Sequence, residues 1–376
     1  MSVYLDCNAT SPMEPAVRDA VLRFMAEEFG NAGSRTHAYG NRAKQAVQQA
    51  RNQVADAVGV QRDEVIFTSG ATESNNLAIL GLAPYAKRYQ KRHVITSALE
   101  HKAVLEPVDA LRTNGFETTV LPAEPGGYID PARIKASLRK DTVLVSIMHV
   151  NNETGVEQPL PAICDVLTDH PAYLHVDAAQ GFGKHSAPLR NPRIDLVSIS
   201  AHKIYGPKGI GALILRRRGN DRPPLAPLQF GGGQERGLRP GTLPVPLVVG
   251  LGLAAELATK HCAARQEACR AFRERILQGL ARLAPQYNGD QERVLPHVLN
   301  LAIPGIDAEA FMLATKDLIA VSNGSACTSQ NYQPSHVLKA MGLSPERIQS
   351  SLRFSWCHMT PPVDWDVVVD AVGRVR

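Results

Sequence analysis

From about residue 15 to residue 255, segments with helical spacing of apolar residues alternate with short β-branched runs. That alternation leaves the chain few architectures. Ala16–Glu28 and Asn41–Val58 carry the helical period, while Glu64–Thr68, Arg92–Ser97, Thr142–His149, Ala172–Val176 and Ile194–Ile199 read as buried strands. Strands separated by helices cannot pair as tight hairpins, so they line up in parallel and need cover on both faces. The expectation is an α/β fold: a mostly parallel sheet flanked by helices, with a smaller α/β domain at the C-terminus. A long helix over Gly250–Arg282, continuous or broken, leads into that second part. The division expected is a large domain over 15–255 and a small one built from 1–14 and 256–376.

Composition narrows the class. The chain has 376 residues, enough for two domains, and its 44% hydrophobic and 20% charged residues fit a globular protein. No run approaches the roughly 18 apolar residues of a membrane span. The start, Met1-Ser2-Val3-Tyr4-Leu5-Asp6, has neither a basic end nor an apolar signal core, so the cytoplasm is expected. The net charge of +5 permits an acidic partner such as nucleic acid or a carrier protein, but solubility explains it equally well, and no direct nucleic-acid binding is expected. Six cysteines are scattered without a Cys-x-x-Cys pair, so zinc-ribbon and thioredoxin readings lack their ligands and no metal is expected.

The chemistry concentrates where strands end. Ser200-Ala201-His202-Lys203 directly follows the apolar run Ile194–Ile199. Open α/β sheets bind ligands at such carboxyl ends. A lysine there is costly unless its amine is paired or used, and the productive use is a Schiff base with pyridoxal 5′-phosphate (PLP). Asp177 closes the preceding strand, 26 residues earlier, where it can face the pyridine nitrogen of such a cofactor; capping the next helix is the plainer use. Phe67-Thr68-Ser69-Gly70-Ala71-Thr72 is a strand, a glycine turn and a helix start, suited to a phosphate. Ser200 and His202 can add phosphate contacts. His101, after another strand, can stack on a flat ring and pass protons as a catalytic residue, or serve structurally. Asn151-Asn152-Glu153-Thr154-Gly155 offers amides at the same rim. Cys327 lies in a run of small and hydroxylic residues, which predicts an exposed, reactive thiol, and Arg353 in an apolar strand wants a carboxylate.

Together, Ser200-Ala201-His202-Lys203-Ile204-Tyr205-Gly206-Pro207-Lys208-Gly209 and Gly324-Ser325-Ala326-Cys327 resemble the cysteine desulfurases of the NifS/IscS type, and the similarity runs nearly end to end. That family has the aspartate-aminotransferase fold and uses PLP; the chain resembles its members with an extended cysteine loop. The resemblance implies Lys203 as the Schiff-base lysine, Asp177 on the ring nitrogen, Gln180 on the ring oxygen and His101 stacked on the ring. It implies Ala71, Thr72, Ser200 and His202 on the phosphate, with Thr242 reaching the phosphate of a second subunit in a homodimer. Asn152 and Arg353 would bind the carboxylate of L-cysteine. Lys203 would take the Cα proton, Cys327 would take the sulfur as a persulfide, and alanine would leave. The sulfur would pass to an acceptor protein in iron–sulfur cluster assembly, tRNA thiolation or DNA phosphorothioation, the last being the system of a DndA-like member.

Three segments depart from the family pattern: Asn31-Ala32-Gly33-Ser34, Arg239-Pro240-Gly241-Thr242 and Trp356-Cys357-His358. They bear on the shape of the substrate entrance. A PLP aminotransferase would need no Cys327, and a selenocysteine lyase would prefer the selenium substrate. A sulfur-delivery module would act only with a partner bound.

Overall fold

The computed structural model describes residues 2–323 and 334–374. Its strands are β1 (Val3–Tyr4), β2 (Val65–Thr68), β3 (His93–Ser97), β4 (Glu117–Leu121), β5 (Thr142–Met148), β6 (Tyr173–Asp177), β7 (Leu196–Ser200), β8 (Gly211–Leu215), β9 (Gln286–Tyr287), β10 (Val298–Ala302), β11 (Ile319–Ala320) and β12 (Ser351–Ser355). Seven of them form the central sheet in the order β2-β8-β7-β6-β5-β3-β4. All neighbours are parallel except β8, which runs antiparallel to both β2 and β7.

Strands β5 and β7 are buried along their whole length, as expected of a sheet covered on both faces. One apolar cluster joins Val145, Ile147, Val176, Val197 and Ile199 to the helices Pro15–Ala26, Ala38–Val58 and Val245–Lys260. A second, on the other face, holds Ile66, Leu77, Val94, Val104 and Leu213. The helix Ala38–Val58 stops at Gly59, whose φ of 67° takes the left-handed conformation that a side chain resists.

Where a continuous helix over Gly250–Arg282 was one expectation, the chain bends by 74° between Val245–Lys260 and the segment from Cys262. The reason is a change of partner. Val248, Leu251 and Ala255 pack on the large-sheet core, whereas Phe272, Ile276 and Leu280 pack with Leu299, Phe354 and Trp365. Cys269 joins that second core, while Cys262 stays half-buried. No single helix among the described residues is long and apolar enough to cross a membrane.

The C-terminal part is built on the antiparallel sheet β12-β10-β9. The chain start belongs with it: β1 pairs with β11, and Leu5 lies in the same apolar cluster. Trp356 and Cys357, read as affecting the entrance, are core residues instead. Trp356 is fully buried against Phe272 and donates Nε1–H to the Cys269 carbonyl at 3.0 Å; Cys357 packs with Cys7 and Tyr205.

Candidate active site

Five strand ends open onto one cavity of about 440 Å³. Its wall includes Gly70, Ala71 and Thr72 after β2, His101 after β3, Asn152 after β5, Asp177 and Gln180 after β6, and Ser200, His202 and Lys203 after β7. Arg353 reaches it from β12. Parallel strands point their carboxyl ends the same way, which is why residues far apart in sequence meet here.

The Lys203 Nζ donates to the carbonyls of Asn8 at 2.5 Å and Ala9 at 2.8 Å. Those carbonyls belong to the N-terminal segment, so the chain start forms one wall of the site. Asn8 also ties in Gln180, whose Nε2 donates to its carbonyl at 2.9 Å; Gln180 Oε1 is buried with no partner among the described residues. Asp177 is buried, and its two oxygens accept from Asn75 Nδ2 at 2.8 Å and from the Ala179 N–H at 3.0 Å. His101 caps the helix Lys102–Thr113, its Nδ1 accepting the Ala103 N–H at 3.1 Å. In a neutral ring that places the proton on Nε2.

At the other end of the cavity, helix Ala71–Leu80 begins at Gly70 without a side-chain cap. A helix N-terminus left uncapped presents N–H groups and a partial positive charge to an anion. Ser200, His202 and Lys208 line the same region. Burial, with help from Lys203 and Lys208, pushes the His202 imidazole down to about 4, so it is neutral, and its Nδ1 lies 3.1 Å from Thr10 Oγ1. Gly211 keeps this corner tight: a Cβ there would lie 2.3 Å from the Ile199 carbonyl oxygen and 2.7 Å from Gly70 Cα.

The donor set fits PLP. A buried carboxylate suits a protonated ring nitrogen, an amine lies in the same cavity, and an uncapped helix start with hydroxyl and imidazole neighbours suits a phosphate dianion. Asn8, Asn75, Lys208 and Glu100 were missed in the sequence. Asn75 lies in the strand-turn-helix segment that was singled out, yet nothing in its spacing shows that it turns towards Asp177. Glu100 is fully buried behind His101; burial pushes its carboxyl up to about 8, against the opposing donors Ser97 Oγ at 2.6 Å and Met148 N–H at 2.9 Å.

One expected site residue among those described is not in this cavity. Thr242 sits exposed on the segment before helix Val245–Lys260, outside the lining. Its segment is docked next to the cavity by Arg239, whose Nε donates to Glu73 Oε1 at 2.9 Å. Cys327 lies outside the described residues. The chain on either side of 324–333 is anchored beside the cavity. Ser322 pairs with the backbone of Arg353, Ser335 donates Oγ–H to Glu153 Oε2 at 2.5 Å, and His336 Nε2 lies 2.9 Å from the Glu100 carbonyl oxygen.

Residues 3–367 match the aminotransferase class-V family. The chain is 45% identical over its whole length to the cysteine desulfurase IscS of Escherichia coli, covering 94% of that protein. Among solved structures it is similar to DndA from Streptomyces lividans, with 52% identity, a TM-score of 0.83 and coverage of 93% of this chain and 98% of that one. A NifS-like protein superposes with a TM-score of 0.89 at 34% identity, covering 100% of this chain and 98% of its own. SspA in complex with cysteine gives 0.83 at 36% identity, covering 96% and 100%. The chain belongs to the PLP-dependent class-V aminotransferase family, among the cysteine desulfurases of the NifS/IscS type.

Proposed function

We propose that this chain converts L-cysteine to L-alanine, leaving the sulfur as a persulfide on Cys327 for an acceptor protein. The observation that carries the reading is the meeting of Lys203, Asp177, Gln180, His101 and Arg353 around one cavity, with both flanks of the Cys327 segment anchored at its rim.

When bound, PLP supplies the electron sink that lowers the barrier to a carbanion at the substrate Cα. Asp177, oriented by Asn75, would keep the ring nitrogen protonated, and Gln180 would bind the ring oxygen. Ala71, Thr72, Ser200 and His202 would hold its phosphate, and His101 would lie over its ring. Arg353 and Asn152 hold the substrate carboxylate while the Lys203 amine takes the Cα proton. The Cys327 thiolate attacks the substrate sulfur; an S–S bond forms as the Cβ–S bond breaks, and the carbon product leaves as alanine.

Thr242 serves the phosphate of a second subunit. The exposed apolar side chains Leu22, Met25, Phe29 and Phe230 support a homodimer. The likeness to DndA, 52% identical over 93% of this chain, supports the DNA phosphorothioation acceptor as the first to test.

The test is alanine and sulfide release from L-cysteine by wild type and Cys327→Ser in matched PLP-loaded preparations. The reading stands if only the wild type makes both, and it fails if the variant releases alanine normally. Radiolabelled sulfur appearing on one acceptor and not on others then names the pathway.

A further inference from the structure

Away from the PLP cavity, a different set of ligand atoms converges. His149, Glu157 and His185 each offer one, and the three atoms lie within 4.8 Å of one another. His149 Nε2 is 3.2 Å from Glu157 Oε1, and His185 Nδ1 is 3.1 Å from Glu157 Oε2. Around a tetrahedral ion with bonds of about 2.0–2.2 Å, neighbouring ligand atoms are separated by roughly 3.3–3.6 Å. The two nitrogen–oxygen distances, one to each carboxylate oxygen, fall short of that by a few tenths of an ångström, and the other separations lie within 4.8 Å, so an ion is held once the carboxylate and the partly exposed His185 draw in around it.

A carboxylate hydrogen-bonded between two imidazoles would show the same distances, but this group is held and exposed like a binding site. His149 is wholly buried, and its ring lies against Gly181, where an added Cβ would come 1.9 Å from Nδ1. That packing fixes the ring with Nε2 towards Glu157. Glu157 is fixed through its backbone, pairing with Val150 and donating its N–H to the Arg293 carbonyl at 2.9 Å. The His185 side chain is 37% exposed and that of Glu157 22%, which gives an ion a way in and leaves a position for water. Two imidazoles and one carboxylate with an open position suit zinc-class ions; calcium and magnesium prefer all-oxygen shells.

The position in the fold gives the site a consequence. His149 directly follows β5, and Glu157 closes the turn that began there: Val150 bridges Glu157, and the Gln158 N–H donates to the His149 carbonyl at 2.8 Å. Between them lies Asn152, whose carbonyl accepts from Arg353 Nη1 at 3.0 Å and from Asn8 Nδ2 at 3.1 Å. His185 comes from the loop after Gln180. An ion held by all three ties both stems of the Asn152 turn to that loop.

We propose that His149, Glu157 and His185 form a binding site for a divalent transition metal of the zinc class, which clamps the turn carrying Asn152. The clamp's effect on substrate rests on the reading of the cavity given above; metal binding itself does not.

The experiment uses untagged, PLP-loaded Cys327→Ser protein, which removes a competing thiol, with Co²⁺ as the probe. Equilibrium dialysis should give one Co²⁺ per chain, and X-ray absorption should show nitrogen and oxygen ligands. His185→Ala and Glu157→Gln should each weaken binding at least tenfold, on the scale seen when metal-site residues are altered. Both positions are partly exposed, so these variants should keep their fold, checked by circular dichroism. Co²⁺ binding unchanged in both variants, or a sulfur-containing shell, overturns the site. L-Alanine, which keeps the carboxylate but has no thiol, then tests the clamp: its affinity should rise several-fold with Co²⁺ in the Cys327→Ser protein and not in the Glu157→Gln form. An alanine affinity indifferent to bound Co²⁺ overturns the clamp. Failure of alanine to bind any form overturns the cavity reading instead, leaving the metal result to stand alone.

Discussion

Arg353 Nη2 donates to Asp6 Oδ1 at 2.6 Å, and its Nη1 donates to the Asn152 carbonyl at 3.0 Å. The guanidinium assigned to the substrate carboxylate is therefore already held by the protein through both outer nitrogens. Its side chain is 3% exposed, and a buried cation of that kind needs a counter-charge, which Asp6 supplies. The Nε–H is buried with no partner among the described residues, and each outer nitrogen keeps a second N–H, so the guanidinium retains donors for a substrate carboxylate.

Asp6→Asn should therefore raise KM for L-cysteine about tenfold with little change in kcat, since a charge-assisted hydrogen bond is worth about 1.5–3 kcal/mol and here it aims the arginine. Arg353→Ala removes the carboxylate partner itself and should raise KM about a hundredfold. Steady-state kinetics on both variants check the order. An Asp6→Asn enzyme with unchanged KM would show that the ion pair does not position Arg353.

Glu100 makes stability depend on pH in a direction opposite to that of most carboxylates. Burial is the main cause of its rise to about 8, with the nearby Asp177 charge adding to it. The unfolded chain releases that proton near pH 4.3. Between those values the native state holds a proton that the unfolded state lacks, so stability falls as pH rises, levelling off above about 8. Glu100→Gln keeps the shape and the acceptor for Ser97 and Met148 but cannot ionise. Its stability advantage over wild type should grow from pH 5 to pH 9 in denaturant titrations; parallel curves would remove Glu100 as the source.

Much of this was legible in the sequence because the relevant patterns are local. The alternation of β-branched runs with helical periods sufficed for the parallel sheet, and strand ends sufficed to mark Asp177, His101 and Lys203. β8 was not resolved as an antiparallel member, since Gly211–Leu215 is a short apolar run whose direction depends on the turn before it. Glu100 and Asn75 were missed because burial and facing are tertiary facts. The same holds for His149, Glu157 and His185, whose separations of 8 and 28 residues match no local ligand motif. Trp356-Cys357 was misplaced at the entrance because sequence proximity to Arg353 was read as proximity in space; after β12 Trp356 turns into the small-sheet core and Cys357 packs with Cys7 and Tyr205.

Gly211 carries a prediction about the phosphate corner. The Cβ of Gly211→Ala would press on both the Ile199 carbonyl and Gly70, from opposite sides of β8. Overpacking of this kind costs about 1–3 kcal/mol. Because Gly70 begins the helix proposed to bind the phosphate, PLP affinity should fall at least tenfold as well. Fluorescence titration of apo-protein with PLP measures this, and an affinity equal to wild type would place the phosphate elsewhere.

The loop that carries Thr242 is pinned from beneath by a buried ion pair. Arg51 donates to both carboxylate oxygens of Glu235, at 2.8 and 2.5 Å, and also to the Val65 carbonyl at 2.6 Å; the Phe67 N–H adds a further bond to Glu235 at 2.7 Å. Both side chains are nearly inaccessible, at 6% and 2% exposure. Glu235 and Arg236 take φ values of 45° and 59°, a left-handed pair of non-glycine residues that this anchoring holds in place. Glu235→Ala should cost about 3–5 kcal/mol, because it strands the Arg51 guanidinium without a partner charge. Replacing both residues with methionine should recover much of that loss, since a buried pair exchanged for apolar side chains of similar volume is often neutral. Neither variant should restore the loop, because the strained Glu235-Arg236 backbone loses the contacts that hold it. PLP affinity should stay reduced in both if Thr242 serves the phosphate. Denaturation and PLP titration on the two variants separate these effects. Equal stability of the single and double variants would rule out the stranded charge as the cause, and wild-type PLP affinity in both would detach the loop from the phosphate site.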